Sequence, residues 1–345
     1  METRKLQKVG GSTYSVSLPK EWATDHHLEA GMPIHLYPHT DGSLVVRSAA
    51  QDGEPLGATT ITLPSADTDA VERTLRAAYV VGYDAVTLVA PEGAELTADE
   101  RRIARRLVRT MVGLSVVEET PDRIVVENLL DAAEVSIRQS VIQLRFTALS
   151  MHRAAVERVA CDVDDGVAQH APDEAVADPL DERDDEADRL FEMLTRHANR
   201  SLVDFEEVDA LDVRRSELFD ALVVARQLER VADHAVRIGS LADRMDAAVD
   251  DGPLAELRPL ADAARGVVET ATTAALDGSV ELALEALDQR NRVVDDALAL
   301  DRTLFERAPP DAYALSRVLA SLDRTAECGG NVARVALRAS VRPDA

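Results

Sequence analysis

The sequence predicts a mainly α protein: two tandem three-helix bundles, preceded by a small β-rich domain and a small α/β subdomain. Three observations predict it. Beyond residue 128 apolar residues recur at spacings of three and four, the stripe of amphipathic helices. The segment Leu228-Glu229-Arg230-Val231-Ala232-Asp233-His234 returns 94 positions later as Leu322-Asp323-Arg324-Thr325-Ala326-Glu327-Cys328, which marks an internal duplication. The start of the chain alternates instead with a period of two, the pattern of half-buried strands.

Residues 1–50 form the first predicted domain. Tyr14, Val16 and Leu18 alternate with Thr13, Ser15 and Ser17 in a strand. Pro19 then opens a short helix to His26, because its fixed φ suits a first helical turn. Ile34 and Leu36 alternate again, Asp41-Gly42 supplies a hairpin turn, and Leu44-Val45-Val46 forms the return strand. Strands this thin bury little apolar surface, so dimerisation is the expected remedy.

Residues 51–128 alternate strands with helices, the texture of a small α/β unit. Strands are expected at Ile61 to Leu63, Ala85 to Val89, Ser115 to Glu118 and Arg123 to Val126, with helices at Ala70 to Tyr83 and Ala98 to Val112. Residues 129–250 make the first bundle. Its first helix runs from about Asp131 to Ala160 on the stripe Ile137, Val141, Leu144, Ala148 and Met151. A solvated acidic loop follows over Asp162 to Asp178, then a helix carrying Leu190, Met193, Leu194 and His197, then one carrying Leu218, Leu222, Ala225, Leu228, Ala232 and Ala235. Residues 251–345 repeat the plan with helices near Pro253 to Leu276, Val280 to Glu306 and Ala312 to Ser340.

Composition narrows the function. With 63 acidic against 38 basic residues and a formal net charge of -25, the protein does not offer nucleic acid its whole surface, and any DNA contact is local. The only lysines are Lys5, Lys8 and Lys20. Such depletion beside so many carboxylates is expected of a halophile, whose salty cytosol screens self-repulsion. The opening Met1-Glu2-Thr3-Arg4-Lys5 lacks an apolar signal region and no run of about 18 apolar residues appears, so a soluble cytoplasmic protein is expected. Cys161 and Cys328 each lack a second cysteine nearby and read as free thiols.

The duplicated signature carries the chemistry. Residues i and i+4 share a helix face, where two carboxylates repel by a few tenths of a kcal/mol unless a cation sits between them. If the second and third helices of the first bundle are antiparallel neighbours, Asp184, Asp188, Glu229 and Asp233 converge as hard oxygen ligands for a divalent ion, with His234 as a nitrogen candidate. The second bundle offers Asn291 with Asp295, and Asp323 with Glu327. Against this stand chance, which places acids four apart in any chain so acidic, and the macrodipole, which favours carboxylates at a helix start such as Asp184. Arg230 and Arg324 offer a further alternative, as structural counter-ions to their own neighbours.

The run Leu228-Glu229-Arg230-Val231-Ala232-Asp233-His234-Ala235-Val236-Arg237-Ile238 resembles the signature of the PhoU family of phosphate-uptake regulators. The resemblance implies two tandem three-helix bundles whose acidic motifs bind multinuclear iron or zinc clusters, with magnesium a further candidate. It makes Asp184, Asp188, Glu229 and Asp233 the metal positions of the first bundle, and Asp295, Asp323 and Glu327 those of the second. Two residues depart from the pattern. Arg237 stands where the family usually has asparagine, which Asn331 supplies in the second copy, and Asn291 replaces an expected acid. The resemblance also implies a phosphate transporter ATPase or a signalling kinase as partner.

The N-terminal segment reverses the overall charge. Arg4, Lys5, Lys8 and Lys20 form a local basic patch, and a two-stranded ribbon can enter a major groove. Gln7 to Tyr14 and Val16 to Trp22 resemble the AbrB/SpoVT type of swapped-hairpin domain, which implies a homodimer that binds DNA or only dimerises. A second cluster, Arg101, Arg102, Arg105, Arg106 and Arg109, reads as the solvated face of its helix.

The functional expectation is a cytoplasmic regulator of phosphate uptake and homeostasis, acting through DNA and docked proteins, with a metal-bearing helical body. The alternative is an acidic scaffold without metal that dimerises and docks partners. An enzyme is not expected: no Glu is followed three residues on by His, as carboxylate di-iron sites require, and neither a Gly-rich phosphate loop nor a nucleophile elbow appears.

Overall fold

The computed structural model describes residues 3–38, 42–48, 56–64, 67–160, 179–245, 251–309 and 311–342. The chain divides into two units, residues 1–55 and residues 56–345. In the first, β1 (Gln7–Val9) pairs antiparallel with β2 (Thr13–Ser15), α1 (Lys20–Asp25) follows Pro19, and β3 (Ile34–Pro38) pairs antiparallel with β4 (Leu44–Ser48). Of the expected turn, Gly42 sits at φ 81°, a left-handed conformation that suits glycine, while Asp41 lies outside the described residues. Among the described residues of this unit none is buried, and Leu6, Val9, Tyr14, Leu36 and Leu44 are exposed.

The second unit opens with a four-stranded sheet in the order β5 (Ala58–Thr62), β6 (Ala85–Val89), β8 (Arg123–Asn128), β7 (Leu114–Glu119). β5 and β6 run parallel, as a crossover helix between them requires, and the other pairs are antiparallel. The helices α2 (Thr68–Val81) and α3 (Ala98–Thr110) bury Val71, Leu75, Tyr79, Ala104 and Leu107 together with Val86, Leu88, Ile124 and Val126 of the sheet. Thr97 and Glu100 form a capping box that fixes where α3 begins.

Six long helices follow: α4 (Ile137–Ala160), α5 (Pro179–Arg200), α7 (Arg215–Ala242), α8 (Asp251–Asp277), α9 (Val280–Arg307) and α10 (Ala312–Ser340). The helix expected from about Asp131 begins at Ile137, after a 3₁₀ turn at Ala132–Glu134 capped by Asp131; α6 (Phe205–Ala210), capped by Asp204, is too brief to show a helical stripe. The expected acidic loop at 162–178 lies outside the described residues. The buried core is continuous from one three-helix set to the other. Helices α7 and α10 pack on one another, and Ala232, Ala235, Ala326 and Ala333 along them are fully buried. Gln227 and Asn331 are joined by a 3.1 Å hydrogen bond across that contact. Among the described residues no helix is long and apolar enough to cross a membrane.

The C-terminal end of α5 holds the α/β layer. Helix α2 ends with carbonyls that have no intrahelical donor, and α5 supplies donors to them. Arg196 donates to the Tyr79 and Tyr83 carbonyls at 3.1 and 2.8 Å, Asn199 to Val80 at 2.8 Å, and Arg200 to Gly82 at 2.8 Å. Positive charge at a helix C-terminus also complements the macrodipole. This clamp sets α2 beside α5 and brings a residue of α2 to the acidic face described next.

A carboxylate face between the second and third helices

Helices α5 and α7 are antiparallel in a register that the side chains reveal. Leu180 lies against Gly239, where a Cβ would meet its Cδ1 at 2.6 Å, and the Arg226 guanidinium stands over the Phe191 ring at 5.2 Å. Between these two contacts Asp184 and Asp188 come level with Asp233 and Glu229. The antiparallel arrangement expected from sequence is therefore present, and the four carboxylates share one electrostatic environment.

That environment is strained by like charge. Burial, then repulsion from Asp188 and Asp233, pushes the Asp184 carboxyl up to about 6. Burial and Asp233 push Glu229 up to about 7, against the pull of Arg226. Asp188 is raised chiefly by burial. Glu229 is buried; its Oε1 accepts from Arg226 at 3.2 Å, and its Oε2 is enclosed with no hydrogen-bond partner. A buried carboxylate oxygen without a donor is costly and is the feature a cation would relieve. Asp233 is exposed at the rim.

Two arginines and one further acid belong to this face. Arg76 of α2 reaches Glu192 at 2.9 Å and Asp188 at 3.6 Å. Glu192, one turn beyond Asp188, is pushed up to about 7 by burial. Its place in the line Asp184, Asp188, Glu192 could have been found from spacing, as could Arg226 three residues before Glu229. Arg76 carries no such local signal. Arg230, expected as a counter-ion, lies exposed on α7, and Glu229 forms an ion pair with Arg226.

His234 does not face the carboxylates. It is buried toward α10, with Nδ1 at 3.3 Å from Thr325 Oγ1. Because the Thr325 hydroxyl already donates to the Ser321 carbonyl, it accepts from His234, which fixes a neutral Nδ1–H tautomer. Burial, reinforced by nearby arginines, lowers this imidazole to about 4. In the second set Asp323 and Glu327 share a face of α10, while Asp295 is exposed on α9. Among the described residues no group of three or more His, Cys, Asp and Glu is placed so that it could hold an ion with the side chains as they stand.

The basic candidates lie where the sequence puts them in the first unit: Arg4 and Lys5 precede β1, Lys8 is on β1 and Lys20 opens α1, with all four exposed. The arginines of α3 are largely paired within the protein. Arg105 makes two 2.9 Å hydrogen bonds to Glu119, Arg102 pairs with Asp99 at 2.9 Å, and Arg106 lies 3.8 Å from Glu72.

Fold and site together define a helical-bundle protein that carries an acidic inter-helix face and an appended strand-rich N-terminal unit. The family model of the PhoU domain matches residues 168–242, a segment that contains Asp184, Asp188, Glu229 and Asp233. The chain is also similar to the crystal structure of the phosphate transport system regulatory protein PhoU from Streptococcus pneumoniae. That similarity is at 12% identity and a TM-score of 0.38, over 60% of this chain and 97% of that one. No curated protein matches the chain.

Proposed function

We propose that this protein is a regulator of phosphate uptake: a scaffold, not an enzyme, whose helical body binds a cation between α5 and α7. The observation that carries the reading is that the PhoU-domain match takes in all four carboxylates that converge there. The donor set fits a hard or borderline ion, iron, zinc or magnesium, held by Asp184, Asp188, Glu229 and Asp233. Glu229 Oε2, enclosed without a partner, supports that fit. An ion there would offset the mutual repulsion of the four groups and favour their ionised forms.

The first unit serves in this reading as a homodimerising module that contacts DNA through Arg4, Lys5, Lys8 and Lys20. The lack of buried residues among those described in it supports a second copy as the missing half of its core. A phosphate transporter ATPase or a signalling kinase is the protein partner proposed for the helical body. Protein purified without chelators is expected to retain iron or zinc, and Glu229→Ala with Asp233→Ala to lose it. An unchanged metal complement in that variant removes the assignment. For the DNA part, retardation of promoter fragments that survives Lys5→Glu with Lys8→Glu rejects the basic patch as the contact.

A second reading has its own support. Arg76 and Arg226 already stand beside Asp188 and Glu229, so the face can be a salt-bridge network in a scaffold without metal. Metal-free protein with the same stability in chelator as without it favours this alternative.

A further inference from the structure

We infer that Glu327 of the second carboxylate pair is held by Arg290 and not by a metal ion, while Asp323 Oδ1 of the same pair is enclosed without a partner. Arg290 lies on α9 and donates through Nη2 to Glu327 Oε1, while Nη1 donates to Asn291 Oδ1 at 2.8 Å. The guanidinium is permanently charged and matches a carboxylate in shape, so it brings to this place what an ion would bring. A divalent cation bound to Glu327 would have to expel it against like-charge repulsion.

The duplication explains how the arginine gets there. The stem of Arg290 runs over Gly330, where a Cβ would meet Arg290 Cγ at 3.3 Å and Cδ at 3.7 Å. At the offset of 94 that relates the two signatures, Gly330 corresponds to Val236, a half-buried side chain packed against the core. At the offset of 107 that relates Asn291 and Asp295 to Asp184 and Asp188, Arg290 corresponds to Arg183. Arg183 turns away, with Nη1 at 3.3 Å from Ser150 Oγ on α4. The first face thus keeps its acids and takes its cations from Arg76 and Arg226, with Arg183 turned away; the second takes its cation from Arg290, has Asn291 in place of an acid, and leaves Asp295 exposed.

The test is a double-mutant cycle of Arg290→Met and Glu327→Gln, followed by urea unfolding in chelator. Arg290→Met is expected to lower the folding equilibrium constant roughly two- to fivefold in the wild-type background, the range for a partly exposed ion pair, and to have almost no effect once Glu327 is glutamine. Equal losses in both backgrounds overturn the inference. In protein purified without chelators, Asp323→Asn with Glu327→Gln is expected to leave bound metal unchanged, and a fall in metal content also overturns it. Because the cycle is run in chelator, it decides this inference whether or not the first face retains an ion.

Discussion

The helix segments around Glu229 and around Asp323 carry nearly the same signature, yet they meet their neighbours differently. In the first, two acids of α7 face two acids of α5, and the cations beside them come from α2 and from one turn earlier on α7. In the second, the acids of α10 face an arginine of α9. The i, i+4 spacing fixes only that two carboxylates share a face; the helix opposite decides their charge balance. Duplication preserved the apolar frame of the signature and let its polar partners diverge.

The shared frame gives the largest expected effect. Leu228 and Leu322 occupy equivalent places and are fully buried, so Leu228→Ala and Leu322→Ala should each cost about 2–5 kcal/mol in urea unfolding. A several-fold difference between them would break the view that the two copies share one kind of core. A smaller effect should have opposite sign in the two copies. Glu229 has a folded value near 7, raised from 4.5, so its contribution to stability is fully present below pH 4.5 and lost as pH rises through 7. In chelator at pH 8, Glu229→Gln should therefore stabilise the protein by about 1–3 kcal/mol and flatten the fall in Tm between pH 4.5 and 8. Glu327→Gln, which removes the Arg290 contact, should instead destabilise by about 0.2–1 kcal/mol. Same-sign changes would erase the distinction between the faces.

The smallest effect sharpens the role of α2. Arg76→Met should cost about 0.5 kcal/mol, because the pair it breaks is partly exposed. The Glu192 carboxyl should rise further from about 7, since Arg76 is what draws it down. An NMR titration showing Glu192 unmoved would mean that the contact carries no charge coupling.

Much of the fold was legible because its signals are local. Period two marked β2, β3 and β4 of the first unit but not β1, and carried the strand of β2 on to Leu18 where it ends at Ser15; stripes at three and four marked the long helices of the first set, and α10 starts and ends at Ala312 and Ser340 as expected. Short elements such as α6 were not legible, being set by a single cap and not by a repeat. The candidate site was half legible. Asp184, Asp188, Glu229 and Asp233 could be chosen from spacing, but His234 shares their neighbourhood in sequence and not in space, because one residue along a helix turns the side chain by about 100° and points it at α10.

The sequence by itself determined which residues share a helix face, since periodicity is a property of neighbours along one chain. Only the tertiary structure decided which cation meets which carboxylate. Arg76 reaches Asp188 from a different layer, through a clamp of arginines on the end of α2. Arg290 reaches Glu327 because a glycine on the opposite helix leaves room. Charge pairing between helices depends on distances of a few ångströms across a packed interface, and no spacing along the chain encodes those distances.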